Sequence, residues 1–432
     1  MPSDQVTLGQ LPPPKRKASL VMAGVGLGLV GLSAVPIGSL LAPHSQVVYQ
    51  CMSGQTGQAE VPNLVERILQ GPRLSPKAKA ILACEGVTSP ADLQSPTYRA
   101  ALSWEALLTR MGGSPTHLKD SPTALSTATV WPYGQAMAAA LDQAKVSGDY
   151  GDFEAMVQQL EQYRADGGGY HPGEGGGDRF FDDNAWLGLV FAQAHHQVSN
   201  PLKQAEYLHK AQSIFEFLQT GITSDGGILW KENADRPSYN TCALGPTIEL
   251  GMRLHEATGQ DSYLQQARSL DSFMDAHLRL PSGLYADNIG LQFNDLDPAL
   301  YSYNQGTPAG AKMLLYRATG EEHYLQDAQQ TARAALDHYQ QEGRLWQHSP
   351  AFNAILFRNL LQVPGVEGRT VMDQYLERTW QETLDPNSGL FNREAGQGSY
   401  EHGKGLQMID QAGLVQLYAL QGWAPGDLSQ VT

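Results

Sequence analysis

From about Trp131 onward, apolar residues recur at the three- and four-residue spacing of amphipathic helices, and short glycine-centred segments interrupt the pattern. No run of alternating β-branched residues is long enough to form a large sheet. The chain is therefore predicted to be all-α. The predicted helices span 131–147, 151–165, 183–198, 203–219, 240–257, 261–279, 305–318, 322–340, 350–361, 368–383 and 404–421.

The interruptions themselves repeat. Most join a glycine to an aromatic residue, as in Gly283-Leu284-Tyr285, and two helical segments separated by a C-cap glycine, such as Gly259 or Gly320, lie between successive interruptions. The repeating unit is therefore a helical hairpin. Such hairpins stack as an open solenoid or close into a toroid, and polar loops of unequal length favour a toroid whose rim forms a cleft. For each punctuating aromatic residue, loop packing and stacking on a sugar remain equal alternatives.

The N-terminus has the pattern of an export signal. The basic segment Lys15–Lys17 precedes an uncharged, largely apolar stretch at residues 18–43. This stretch is long enough for a hydrocarbon core of about 30 Å, although its glycines and Pro36 make it a poor permanent anchor. We expect an exported protein, anchored to the membrane only if residues 18–43 are retained.

Charge and cysteine content exclude several classes of protein. The net charge of −15 comes from dispersed acidic residues, and no basic cluster in the body of the chain could follow a nucleic-acid backbone. The three cysteines lack metal-ligand spacing. Cys51 and Cys84 are able to pair in an exported chain, whereas Cys242 lies in an apolar run and is predicted to be a buried small residue. We expect no metal, no cofactor, no nucleic-acid partner, and a monomer.

One short run carries candidate chemistry. Asp182-Asp183-Asn184-Ala185-Trp186 follows a glycine-rich loop and begins an amphipathic helix. Two adjacent carboxyls at a helix start are candidates for acid and nucleophile chemistry on a sugar. The alternative is helix capping, because Asp and Asn are common N-cap residues and negative charge is favoured at a helix start. A second adjacent charge adds repulsion with little capping benefit, which weakens this alternative without removing it.

Four motifs occur in a consistent order, namely Arg179–Trp186, Gly226–Trp230, Leu244–Thr247 and Tyr303–Thr307. Together they resemble glycoside hydrolase family 76, a family of endo-acting α-1,6-mannanases and related fungal cell-wall transglycosidases. The resemblance extends from about Trp131 to Trp423. It implies an (α/α)6 barrel and a retaining mechanism on mannan, with Asp182 as the nucleophile and Asp183 as the acid and base. A transglycosidase and a non-catalytic glycan-binding barrel remain alternatives.

The sequence is predicted to have three parts. Residues 1–43 form the signal or anchor. Residues 44–125 form a lead-in with a few helices, which completes the barrel or packs outside it. Residues 126–425 form the catalytic barrel.

A retaining mechanism sets geometric requirements on the two carboxyls. They must lie about 5–5.5 Å apart, with one ionised and the other protonated. Proximity itself separates their pKa values, because double ionisation is disfavoured. Successive side chains of a helix diverge by about 100°, so we expect Asp182 to lie just outside the regular helix.

Further residues are predicted to line a sugar-binding cleft. Amide and hydroxyl groups suit sugar hydroxyls, and tryptophan rings stack on the apolar faces of sugars. Capping competes with sugar binding for Asn304, and core packing competes for both tryptophans. Asp287 falls where the family usually has an acidic residue. The predicted substrate-binding residues are Asn184, Trp186, Trp230, Asp287, Tyr303, Asn304 and Gln305.

Overall fold

A computed structural model describes residues 95–385, 388–392 and 406–432. In this part of the chain twelve α-helices surround a core, and the largest β-structure is a three-stranded sheet of short strands. The all-α class is therefore confirmed. The helices are α1 (Pro96–Met111), α2 (Val130–Ser147), α3 (Gly151–Leu160), α4 (Phe181–Gln197), α5 (Pro201–Gln219), α6 (Thr241–Thr258), α7 (Asp261–Leu278), α8 (Tyr303–Thr319), α9 (Glu322–Gln340), α10 (Pro350–Leu360), α11 (Gly368–Thr383) and α12 (Met408–Gln421).

Six helices form a closed inner ring. Helix α2 contacts α4, and the contacts continue in order through α6, α8, α10 and α12 back to α2. The other helices pack outside. Each of α3, α5, α7 and α9 contacts the inner helix that precedes it, while α11 contacts both α10 and α12. Every inner helix follows a connection from the outer layer, so the inner helices all start at the same end of the ring.

Helix α1 belongs to this outer layer. It comes from the predicted lead-in, and it packs against α12 and α2, where the last and first inner helices meet. The sequence left open whether the lead-in completes the ring or lies outside it. The contacts of α1 show that residues 96–111 complete the outer layer.

Local sequence signals fix many of the helix ends. Ser95, Asn200 and Ser349 precede prolines at the first helical position, and their side chains accept hydrogen bonds from free N–H groups of the first turn. Gly259 and Gly320 adopt left-handed conformations, with φ of 69° and 70°, directly after α6 and α8. The predicted C-cap glycines are therefore confirmed.

The inner helices are buried on nearly every face, and small residues allow them to approach closely. Gly306, within the Tyr303–Thr307 motif, faces the backbone of α10. A Cβ atom at this position would lie 2.7 Å from the Cα atom of Leu356. The motif glycine is thus explained by packing between α8 and α10.

A small antiparallel sheet joins the loops at the ring end where the inner helices start. Its strands β1 (Ser238–Asn240), β2 (Asn288–Gly290) and β3 (Leu296–Asp297) lie in that order. Isolated bridges continue the sheet, since Leu229 pairs with Tyr239 and Phe180 pairs with Lys231. The loops before α4, α6 and α8 are therefore held together at one rim.

Several predictions concern residues outside the described ranges. These are the export signal at residues 1–43, the first part of the lead-in, and the pairing of Cys51 with Cys84. Within the described ranges, no helix combines the length and the apolar character needed to cross a bilayer.

A buried ion pair ties the outer layer to the ring. Lys312 on α8 is 1% exposed, and its Nζ lies 2.9 Å from Asp271 Oδ1 and 2.9 Å from Asp275 Oδ2 on α7. The Tyr285 hydroxyl, in the loop that leads to β2, also donates to Asp275 Oδ1 at 2.5 Å. The cluster therefore connects the ring to a rim loop.

Lys312→Ala leaves the buried Asp271 without a counter-charge, and we expect the free energy of unfolding to fall by about 3–5 kcal/mol. Urea unfolding followed by circular dichroism measures this change. Lys203→Ala is the control, because Lys203 pairs with Glu206 at the surface and such pairs contribute less than about 1 kcal/mol. Equal losses in the two variants would contradict a stabilising role for the buried pair.

Candidate active site

The carboxyl pair sits where a glycine-rich loop turns into α4. Gly169 adopts a φ of 67°, and a Cβ atom there would lie 2.7 Å from the Phe217 ring and 2.9 Å from Asn184 Oδ1. Only glycine fits so close to both elements. Arg179 secures the same loop, since its guanidinium lies over the Phe217 ring at 4.2 Å and donates two hydrogen bonds to Glu232. The loop that leads into α4 is therefore held by the close packing of Gly169 and by the contacts of Arg179.

Side-chain amides near the starts of inner helices hold the rim loops. Asn184 Oδ1 accepts from the Tyr170 N–H at 2.7 Å, and its Nδ2 donates to the Tyr170 carbonyl at 3.1 Å. Gln305 makes the same pair of bonds with the backbone of Tyr285. A third pair joins Gln411 to the backbone of Phe391. Each loop is thus held through its backbone.

These contacts correct two predicted substrate contacts. Asn184 and Gln305 are fully buried, and their amide groups bond to loop backbone instead of being exposed at the rim. Trp186 is also buried, and its ring packs against Trp131 with centroids 5.7 Å apart. All three side chains support the site from inside the protein.

The aromatic residues that punctuate the hairpins now separate into two kinds. Tyr170, Tyr285 and Phe391 are buried, so their role is loop packing. Trp230 differs, because 37% of it is exposed. Its ring is therefore the one of these four that a sugar can reach.

Three donors converge on Asp182. Trp230 Nε1 donates to Asp182 Oδ2 at 2.9 Å, and the Cys242 thiol donates to the same oxygen at 3.3 Å. The Asp183 N–H donates to Oδ1 at 2.9 Å. Burial raises the pKa of Asp182 to about 6, against the opposing effect of these hydrogen bonds. Asp182 therefore still ionises near neutral pH.

Asp183 lies in a different electrostatic environment. Its carboxyl has no hydrogen-bond partner among the described residues. Burial, and then the charge of Asp182, raise its pKa well above the ordinary range. When one proton is shared between the two groups, Asp183 holds it. The pair thus consists of a carboxylate and a neutral acid.

The position of Asp182 differs from the prediction. Helix α4 begins at Phe181, so Asp182 lies within the first turn and not outside the helix. Phe180 occupies the N-cap position without a side-chain cap. Asp182 nevertheless satisfies the free N–H of Asp183, so it serves the first turn of the helix as well as the site.

A third carboxyl lies near the Cys242 thiol that contacts Asp182. Asp287 accepts hydrogen bonds at 2.8 Å from Asn288 Nδ2 and from Asn304 Nδ2, and burial raises its pKa. Asn304 does not cap α8, because its amide is directed to Asp287. Its Oδ1 is buried and has no hydrogen-bond partner in the described part of the chain. Tyr303 is half-buried and packs on Phe352, with ring centroids 4.2 Å apart.

Cys242 is the site residue that the sequence interpretation missed. It was expected to be an inert buried residue, and it is buried, but it contacts Asp182. The hairpin repeat contains the missing signal. Asp182, Cys242 and Asn304 are each the second residue of an inner helix, in α4, α6 and α8. Aligning the hairpins by their inner helices would have placed all three at one rim.

Metal chemistry has no evident ligand set here. Within residues 95–385, 388–392 and 406–432, no group of three or more His, Cys, Asp or Glu side chains is arranged to hold a metal ion. Among the described residues, the functional groups around the carboxyl pair are a third carboxyl, one thiol and an indole.

An adjacent carboxyl pair beside an exposed tryptophan, at the rim of a helical ring, is the arrangement expected of a glycoside hydrolase. The chain belongs to glycosyl hydrolase family 76, whose sequence profile matches residues 100–405. The resemblance drawn from the four motifs is thereby confirmed.

Solved structures share the fold. A family 76 mannosidase, Bt3792 from Bacteroides thetaiotaomicron, superposes with a TM-score of 0.66 at 23% identity, covering 76% of this chain and 98% of the other. An inactive α-1,6-mannanase variant from a Salegentibacter species, in complex with α-1,6-mannotetrose, gives a TM-score of 0.64 at 21% identity, covering 76% and 99%.

Curated relatives are similar over shorter segments. The mannan endo-1,6-alpha-mannosidase DCW1 of Candida glabrata is 26% identical over 155 residues, which is 33% of this chain and 34% of the relative. The matched segments span between about a third and about half of the length of the curated relatives.

The raised pKa of Asp183 predicts a dependence of stability on pH. The folded protein retains a proton that an unfolded aspartate loses near pH 4, so the free energy of unfolding falls as the pH rises above that value. Asp183→Asn removes this penalty. We expect its melting temperature to exceed that of the wild type by about 2–5 °C at pH 7, with the difference closing near pH 4.

Differential scanning calorimetry between pH 4 and pH 8 measures the effect without any substrate. Asp166→Asn, which changes an exposed residue of the preceding loop, is the control and should melt in parallel with the wild type. A constant difference between Asp183→Asn and the wild type across this pH range would contradict the assigned protonation.

Proposed function

We propose that the protein is a retaining glycoside hydrolase that cleaves α-1,6-linked mannan. One observation carries the proposal: Asp182 receives three hydrogen bonds, whereas Asp183 receives none from the described residues. This asymmetry favours an ionised Asp182 and a protonated Asp183. A retaining glycosidase needs one carboxyl in each of these states.

The reaction then follows in two displacements. An Asp182 oxygen bonds to the anomeric carbon as the glycosidic bond breaks, and Asp183 donates its proton to the departing oxygen. Asp183 is now a carboxylate, and it removes a proton from an incoming water molecule. The water oxygen replaces Asp182 on the anomeric carbon and restores both groups.

Mannan is the substrate class that the relatives support. The curated Candida relative is described as a mannan endo-1,6-alpha-mannosidase. The Salegentibacter variant is described as inactive, and it carries alanines in place of two adjacent aspartates. The adjacent pair here is Asp182 and Asp183. We therefore infer an endo-acting enzyme with an α-1,6 preference.

The cleft residues suit a sugar in the subsite next to the carboxyl pair. The exposed part of Trp230 offers an apolar face, and its indole N–H is already bonded to Asp182. Asn304 is fully buried, its Nδ2 donates to Asp287, and its Oδ1 has no partner among the residues that the structure describes. We assign substrate contact to Trp230 and Asp287, with Tyr303 at the edge, and we assign to the buried Asn304 the role of orienting Asp287.

We also infer the larger organisation of the chain. The closed ring and its outer layer support an (α/α)6 barrel. Because α1 packs in the outer layer, we place the start of the barrel at about residue 95 instead of residue 126. Residues 1–43 are proposed to direct export and to be the only part that associates with a membrane. The catalytic unit is proposed to act as a monomer.

Asp182→Asn and Asp183→Asn are each expected to lower kcat/KM on linear α-1,6-mannan by about 10³-fold or more, because each removes one of two obligatory carboxyls. Helical content should remain unchanged. Asp178→Asn is the matched control, since this aspartate lies on the same rim loop but bonds to Asn233 and Lys231. Wild-type activity in either of the first two variants would refute the assignment.

An activated aryl α-mannoside separates the two roles. Its leaving group needs no proton, so Asp183→Asn should still form the covalent intermediate and azide should capture it as a glycosyl azide. Asp182→Asn should form no azide product. NMR of the wild-type products gives a further test. The first product should keep the anomeric configuration of the substrate, and an inverted product would exclude covalent catalysis.

Chain-length analysis of the mannan products tests the endo mode. Oligosaccharides of mixed length are expected at early times, whereas release of mannose alone would exclude endo cleavage. Adding a mannooligosaccharide acceptor tests the transglycosidase alternative. Products longer than the starting chains would favour transfer over hydrolysis, and binding without any turnover would favour a non-catalytic barrel.

A further inference from the structure

A free cysteine touches the proposed nucleophile. Cys242 is the second residue of α6, it is 4% exposed, and it forms no disulfide. Its Sγ lies 3.3 Å from Asp182 Oδ2, the same oxygen that accepts the Trp230 indole N–H at 2.9 Å. Two neutral donors from separate rim segments therefore meet on one carboxyl oxygen.

The direction of this hydrogen bond follows from the surroundings of the thiol. Burial, together with the negative charges of Asp182, Asp287 and Asp183, raises the pKa of Cys242 well above its ordinary value. The sulfur therefore keeps its proton. A protonated thiol beside a carboxylate donates, and it is a poor nucleophile and a poor metal ligand.

We propose that Cys242 is a positioning residue for Asp182, donating its S–H to Oδ2 and so orienting the carboxylate and favouring its ionised form. This inference rests on the proposed function of Asp182 as the nucleophile. Cys242 touches no reacting atom of the sugar in this scheme. Its effect passes through the carboxylate that it holds.

Because other acidic groups lie near Asp182, its carboxylate depends on hydrogen-bond donors for stabilisation. Asp183 lies on the same helix, and Asp287 faces the Cys242 thiol from the segment before β2. Trp230 approaches from the segment before β1 and is neutral. Within the described residues, Asp182 forms no ion pair with a lysine or an arginine. Hydrogen bonds therefore take the place of a cation in stabilising the carboxylate.

The test compares Cys242→Ser with Cys242→Ala. Serine and alanine are nearly the same size, and both are smaller than cysteine, so their difference isolates the donor from the packing. Loss of the donor in Cys242→Ala should move the acidic limb of the kcat/KM profile up by about half a unit to one unit. This corresponds to a loss of about threefold to tenfold at pH 5 and less than about twofold at pH 7. Cys242→Ser should retain the wild-type limb.

A direct titration makes the result independent of turnover. Carboxyl-13C NMR of aspartate-labelled protein follows the pKa of Asp182, and Asp182→Asn identifies its resonance. The pKa is expected to rise in Cys242→Ala and to stay near the wild-type value in Cys242→Ser. An unchanged pKa in Cys242→Ala, or equal shifts in both variants, would overturn the inference. If the wild type proved inactive on every α-mannan, the proposed function would fail, and the titration would still decide the role of Cys242.

Discussion

Two carboxyl groups on consecutive residues, partly buried in the first turn of a helix, cannot both carry a charge at low cost. This constraint governs the rim of the ring. The surrounding structure decides which group ionises, because it directs an indole, a thiol and a backbone N–H to Asp182 and leaves Asp183 without such donors among the described residues. A symmetric environment would leave the proton shared and the two roles undefined.

The fold supplies this asymmetry from different places in the chain. Helix α4 carries both carboxyls, α6 brings the thiol, and the segment before β1 brings the indole. Closure of the ring places the helix starts side by side, and the short sheet fixes the loops between them. The site is therefore a consequence of the hairpin repeat, since each hairpin delivers one helix start to the same end.

Much of the fold could be predicted from the sequence, because its helices carry local signals. The predicted helices at 322–340 and 368–383 agree with α9 and α11, and C-cap glycines marked the ends of α6 and α8. The carboxyl pair could also be identified from the sequence. The roles of Asn184 and Gln305 were predicted wrongly, and the choice between sugar contact and core packing stayed open for Trp186, because an amide or an indole has the same chemistry whether it faces a sugar or the loop behind it. Only the direction of the side chain decides, and that depends on packing between distant segments.

The amides that hold the rim loops bond to backbone N–H and carbonyl groups, which every residue other than proline possesses. The attachment of these loops to the ring therefore does not depend on which side chains they carry. A loop can change its length beyond the anchored residue, or exchange its exposed residues, while the helix start beneath it stays in register. The ring thus separates what must be conserved for the reaction from what is free to diverge. Selectivity for different glycans can evolve on this rim without rebuilding the carboxyl pair.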